Sequence, residues 1–351
     1  MRPALVAVAA AQGGVFSRRQ ALRAGYTDRE IKSFTRPGGV WAVVRHGVYC
    51  VRMDLDPLST HARWMLKDRA AALTSERQAT FSHDSAARIL QIDTLDPPIQ
   101  ATHLTLYGPT GSRTTAGITR HRDLLPLCVE LGDDDLAVTS YARTAVDLAR
   151  WHGYRHGLVA VDSVRRMGVP LADLESELGR MVRHPHVARA QAAVRDSDAG
   201  AESVLETLGR ELVASLDIGD IETQFAVQVA GGQVVWCDIR VGRHIFECHG
   251  KIKLVPVAEG GVATETAADV LWNQQARQTD ICAEGFGVSP IVWTDCFGAG
   301  RDRARARLMK EYEVTENRFG SELTTDLRRF ADEHPRRPAA RLWVSDLAPA
   351  A

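Results

Sequence analysis

Apolar positions recur at helical spacing through Leu5, Val8 and Ala9 and stop at Gly13-Gly14, where glycine can adopt the left-handed conformation that closes a helix. Ser17 stands as an N-cap before a second helical stretch, Arg18 to Ala24, and Gly25 supplies the turn after it. Thr27 and Glu30 have capping-box spacing and open a third helix that reaches about Thr35, where Pro37-Gly38-Gly39 stops it. From Val40 to Val51 the period changes to that of β structure, broken at His46-Gly47, which predicts a two-stranded hairpin. Three helices and a hairpin predict a winged helix-turn-helix.

Further along, the pattern predicts helices at Thr60–Leu73, Asp84–Leu90, Ser140–Trp151, Gly157–Met167 and Leu171–Met181, with strands at Thr102–Tyr107 and Gly117–Arg120. Arg143 and Asp147 lie four apart on one of these helices and read as a surface ion pair. Val234–Val241 and His244–Leu254 are β-rich runs separated only by Gly242-Arg243, the signature of a two-residue hairpin. If Val241 pairs with His244, Asp238 falls opposite Glu247, and Glu247, His249, Lys251 and Lys253 share one face. Two carboxylates so placed repel unless a cation with oxygen ligands lies between them. The expected fold class is therefore α+β multidomain. A winged helix occupies 1–55, a mixed α/β linking region 56–196, a nuclease-like α/β domain 197–298 and a helical extension 299–351.

Charge sharpens the picture at the N-terminus. The whole chain of 351 residues carries a net charge of -1, yet residues 1–52 hold nine Lys or Arg against Asp28 and Glu30. That segment is +7 and the remainder -8, the electrostatic footprint of a nucleic-acid-binding appendage on an acidic body. The third helix would present Arg29, Lys32, Ser33 and Arg36 to the major groove, with Arg18, Arg19, Arg45 and His46 near the backbone. Winged helices also dock proteins, so the charge is what favours DNA. The series Arg301, Arg303, Arg305, Arg307 is spaced by two and scatters around a helix, which reads as a solvated helix rather than a second DNA stripe. Six scattered cysteines lack metal-ligand spacing and are expected to be reduced thiols, and no stretch resembles a membrane span, so a cytoplasmic location is expected.

The stretch GGVFSRRQALRAGYTDREIKSFTRPGGVWAVVRHGVY resembles the N-terminal domain of AbiEi-type antitoxins of type IV toxin-antitoxin systems. That resemblance implies a winged-helix DNA binder, in relatives a repressor of its own operon, with a cognate toxin as a partner to be considered. SHDSAAR and VTSYARTAVDLAR resemble the linking region of the same actinobacterial proteins. CDIRVGRHIFECHGKIKL, with GAESVLETL upstream and DVLWNQQARQTDICAEGFGVSPIVWTD downstream, resembles the nuclease-like domain related to very-short-patch-repair endonucleases, within the PD-(D/E)XK superfamily.

By position the resemblance implies Glu202, Asp238 and Glu247 as ligands of Mg²⁺ or Mn²⁺, with His249 and Lys253 as further catalytic positions and Lys251 and Arg277 toward phosphate. The motif departs from its relatives at His249, where they carry Asp or Lys, and along the neutral Trp272-Asn273-Gln274-Gln275. A histidine there can bind metal, act as a base near neutral pH, or mark a lost site. Glu202 alone reads equally well as a carboxylate favoured by a helix start. Two functions stand open: a divalent-metal nuclease acting on DNA, with RNA not excluded, and a non-catalytic antitoxin-like repressor on a retained nuclease fold.

Overall fold

The computed structural model describes residues 1–74, 80–97, 99–123, 129–131, 136–250 and 267–336. The chain is mixed α+β, with three sheets among the described residues, and forms two compact units. The first is 1–161 with 169–195; the second is 162–168 with 196–351.

The first unit begins with α1 (Pro3–Ala11), β1 (Val15–Ser17), α2 (Arg18–Arg23), α3 (Asp28–Phe34), β2 (Trp41–Arg45) and β3 (Val48–Val51). Both short helices start at capping boxes. Ser17 and Gln20 close one, and Thr27 and Glu30 the other, with the Thr27 amide donating to Glu30 at 2.7 Å. The strands form an antiparallel sheet in the order β1-β3-β2. β1 is three residues long, too short to show a period in sequence. Trp41 lies at the centre of an aromatic core, with ring centroids 4.8 Å from Phe16, 5.0 Å from Tyr26 and 5.1 Å from Phe34. Gly39 must be glycine for this packing, because a Cβ there would fall 2.1 Å from the Phe34 carbonyl oxygen.

The unit continues through α4 (Arg52–Leu55), α5 (Thr60–Thr74), β4 (Thr80–Phe81), α6 (His83–Ile89), β5 (Thr102–Tyr107), β6 (Gly111–Thr115), β7 (Ile118–Asp123), β8 (Val129–Leu131) and β9 (Ala137–Thr139). Helices α7 (Tyr141–His152), α8 (Tyr154–Arg166), α9 (Leu171–Arg180) and α10 (Val187–Arg195) follow. Six strands pair in the order β6-β7-β5-β4-β9-β8. The fully buried Asp68 of α5 ties helix to sheet, accepting from Ser85, Arg88 and Thr102 at 2.7–2.9 Å. A buried carboxylate costs several kcal/mol unless so satisfied.

The second unit runs α11 (Val204–Ala214), β10 (Ile221–Gln228), β11 (Val234–Val241), β12 (His244–His249), α12 (Ala267–Ala283), β13 (Gly287–Val292), α13 (Gly298–Phe319) and α14 (Thr325–Glu333). Its sheet is β10-β11-β12-β13, antiparallel except that β13 runs parallel to β12. A parallel neighbour needs a crossover, and α12 lies in that connection. Val241 does pair with His244, as the Gly242-Arg243 turn predicts. Gly209 lets α11 sit close on the sheet: a Cβ there would be 2.7 Å from Cys248 Sγ. The arginine series on α13 is not merely solvated. Arg301 makes a bidentate pair with Glu211 at 2.6 and 2.9 Å, and Arg305 donates to the Ser215 carbonyl, so one edge of the helix is fastened to α11 and its C-terminal cap.

Replacing Trp41 with alanine removes the ring on which Phe16, Tyr26, Phe34 and Tyr49 pack, and is expected to cost about 3–5 kcal/mol. Urea unfolding followed by circular dichroism will show an earlier first transition in Trp41→Ala; an unchanged transition would mean that this core does not hold the N-terminal segment together.

Candidate functional site

Among the described residues, three groups carry chemistry. On α3, Ile31 is buried while Arg29, Lys32 and Ser33 are exposed on its outer face; Arg36, also exposed, lies just past the helix end rather than on it. Arg18 and Arg19 are exposed at the start of α2, but Arg18 is ion-paired with Asp28, and Arg2 with Glu30 at 3.1 Å. His46 is exposed at the hairpin turn. Arg45 differs from expectation: it is half-buried and donates to the Ala116 carbonyl at 3.3 Å, in the turn between β6 and β7. Burial and the neighbouring Arg120 both lower its pKa. The hairpin arginine is thus partly committed to its own protein.

The carboxylates of the second unit separate rather than converge. The β11–β12 ladder ends at Ile239 and Phe246, one residue short of the expected Asp238–Glu247 pair. Across the other edge of β11, the pairs Thr223–Ile239 and Phe225–Cys237 bracket Gln224 and Asp238, and Gln224 has φ +52°. The strand is irregular there. Cys237 packs with Ile281 and Phe286, whereas Ile239 reaches toward Gly209 of α11, although strict alternation would give both one face.

Asp238 accordingly accepts the Cys248 amide at 2.7 Å, and Glu247 takes Arg277 at 3.2 Å. Glu202 is held by Arg336 at 2.8 Å. The acid electrostatically joined to Asp238 is instead Glu206, which was not among the expected ligands. It accepts from the Glu202 amide and from Ser203, and burial, followed by the charge of Asp238, pushes its carboxyl up to about 7. Glu247, His249 and Arg277 line a cavity of about 480 Å³ together with Gln274, Gln278 and Val288. Lys251 and Lys253 lie outside the described residues.

The third group lies in the linking region, where no chemistry was expected. His83, His103 and His121 are 1–6 % exposed. Their rings are nearly parallel, His83 on His121 at 3.8 Å, and Trp151 meets His121 edge-on at 4.8 Å. His103 Nδ1 lies 2.9 Å from His121 Nε2. Every outer ring nitrogen has a partner: Ser82 Oγ at 3.0 Å from His83, Asp84 at 3.1 Å from His103 and Ser112 Oγ at 2.8 Å from His121. Burial pushes His103 down to about 3, His121 to about 4 and His83 well below its ordinary value. The imidazoles are therefore neutral near pH 7.

Beside them, Arg143 and Asp147 correct the surface-pair expectation. They are 2 % and 1 % exposed and bonded at 2.7 Å, and Arg143 also reaches Asp123 at 2.5 Å. Together with Arg150 and His184 they line a cavity of about 260 Å³ that His83 and His121 also face. Four residues apart on a helix does not distinguish an inward-facing pair from an outward-facing one. The neighbouring apolar positions Ala142, Ala145 and Val146 are the signal that this helix is covered on most sides.

Among the described residues, no helix is long and apolar enough to cross a membrane. Compared with known protein families and with curated proteins, the chain matches none.

The Glu206 environment gives a sign-definite expectation. Its folded pKa lies above that of a free carboxyl, so its contribution to stability is full below about 4.5 and is lost as pH rises through about 7. Glu206→Gln should melt higher than the parent at pH 8, with the gap closing toward pH 4.5 in thermal scans. A gap that widens on acidification would contradict the assigned environment.

Proposed function

We propose that the protein binds double-stranded DNA through a winged helix at its N-terminus and carries, in its second unit, a nuclease-type site for Mg²⁺ or Mn²⁺. Support for the first part is the order α1-β1-α2-α3-β2-β3 with a three-stranded sheet, the exposed Arg29 and Lys32 on α3 and the exposed Arg36 just after it. Support for the second is the order α11-β10-β11-β12-α12-β13 around a mixed sheet, matching the resemblance to PD-(D/E)XK proteins.

The observation that carries the cation reading is Glu206, whose carboxyl is held up by burial and by Asp238 in a neighbourhood that also contains Glu247. Three acids that all act on Cys248 fit a divalent cation on charge, and Glu206, Asp238 and Glu247 are the residues that would hold it once drawn together, since their ligand atoms do not all lie within 4.8 Å of one another. A bound cation supplies an activated water and neutralises charge on a scissile phosphate. The chain's own contribution is positional. Asp238 is oriented by the Cys248 amide, Glu206 by the Ser203 cap, and Arg277 is set at the cavity where a phosphate oxygen would replace Glu247 as its partner.

A second reading is favoured by that same arginine. Arg277 bridges Glu247 and the Trp236 carbonyl, at 3.2 and 2.5 Å, and so supplies a built-in positive charge that makes a cation dispensable. On this reading the protein is an antitoxin-like DNA-binding regulator on a non-catalytic nuclease fold, with a cognate toxin as partner.

Supercoiled plasmid incubated with Mg²⁺, Mn²⁺ or EDTA separates the two. The nuclease reading predicts metal-dependent nicking that the double substitution Asp238→Asn, Glu247→Gln abolishes, and that Glu206→Gln reduces at least tenfold. Intact plasmid with retained mobility shift of promoter DNA would establish the regulator. In either case Arg29→Ala with Lys32→Ala should weaken the shift and flatten its salt dependence by about two charges; an unchanged shift would remove α3 from the interface.

A further inference from the structure

We propose that His83, His103 and His121 of the first unit form a binding site for a zinc-type transition dication. Among the described residues this is the one set of three His, Cys, Asp or Glu whose ligand atoms all lie within 4.8 Å of one another. Three strands or helix starts deliver them: β5 brings His103, its parallel neighbour β7 brings His121, and α6 begins with His83.

Imidazole ligation selects zinc-type ions over magnesium or calcium, which take oxygen ligands. In a tetrahedral centre with Zn–N of 2.0–2.1 Å, ligand nitrogens stand about 3.3 Å apart. His103 Nδ1 and His121 Nε2, now at 2.9 Å, need to part by only a few tenths of an ångström. An ion binds in the plane of each imidazole, so loading also requires the stacked rings to fan about their Cβ–Cγ bonds.

The surroundings are those of a metal centre rather than of a histidine core filler. Each ring turns one nitrogen inward and bonds the other outward, to Ser82, Asp84 and Ser112. Outer partners of this kind fix the tautomer and orient the ligand. Asp84, 4 % exposed, accepts from His152 as well, so its carboxylate is anchored on both sides. His83 holds φ +49°, a left-handed backbone unfavourable for a residue with a Cβ, at the first position of α6.

The cavity of about 260 Å³ reached by His83 and His121 supplies an entry path and room for a fourth ligand. Arg143 faces it with Nη1 buried and unpartnered, a donor suited to an anion on that fourth position.

The test is Co²⁺ titration of the chelator-treated full chain, prepared without an affinity tag, read by visible ligand-field absorption. The expected result is one saturable tetrahedral-type band per chain, displaced by one equivalent of Zn²⁺ and insensitive to excess Mg²⁺. Asp238→Asn with Glu247→Gln leaves the band unchanged, which keeps this site separate from the carboxylates of the second unit. His103→Ala with His121→Ala loses it, and Asp84→Asn, which retains all three ligands, weakens Co²⁺ binding about 10–100-fold. A parent chain with no saturable band overturns the proposal whatever the variants do, and so does a band that survives the double histidine substitution in folded protein.

Discussion

Asp84 is the fixed point of the first unit's interior. A carboxylate removed from water must be met by donors, and this one takes the Nε2 of His103 and the Nε2 of His152, at 3.1 and 2.8 Å. Burial works against its ionisation, but the His152 hydrogen bond and the neighbouring histidines hold its pKa below the ordinary value. Its position orients His103, His103 meets His121, and His121 stacks on His83. The six-stranded sheet, α6 and α7 are thus joined through one polar chain as well as through apolar contact. Such a chain stabilises only when every member is satisfied.

The second unit handles its charges differently. An irregularity at Gln224 and Asp238 turns neighbouring carboxylates to separate partners: the Cys248 amide for Asp238 and Arg277 for Glu247. Glu206 is left where burial and Asp238 both favour its protonated form. The two readings of this unit differ in what completes that arrangement. One adds a dication and frees Arg277 for phosphate; the other keeps Arg277 as the permanent counter-charge.

Much of the local structure is visible in sequence because its causes are local. Ser17 and Thr27 announce helix starts, Gly242-Arg243 fixes a hairpin, and periodicity marks α5, α7 and α9. What is not visible depends on residues far apart in the chain. His83, His103 and His121 have no motif spacing, and β5 and β7 bring them together by parallel pairing. Arg143 and Asp147 have the same spacing whether buried or solvated, and only the packing around α7 decides. Strict strand alternation placed Asp238 beside Glu247; one irregular position on the neighbouring strand redirected it. Glu206 stands on the same helix start as Glu202, and only the approach of β11 distinguishes the carboxylate coupled to Asp238 from the one held by Arg336.

We propose a cation for one polar arrangement in each unit. Crystals of the full chain grown with Zn²⁺ and Mn²⁺, measured at both absorption edges, test it in one experiment. The account predicts a zinc peak between His83, His103 and His121 and a manganese peak among Glu206, Asp238 and Glu247, with Arg277 moved off Glu247. Density empty at both places, with the histidines still stacked and Arg277 still on Glu247, would contradict it.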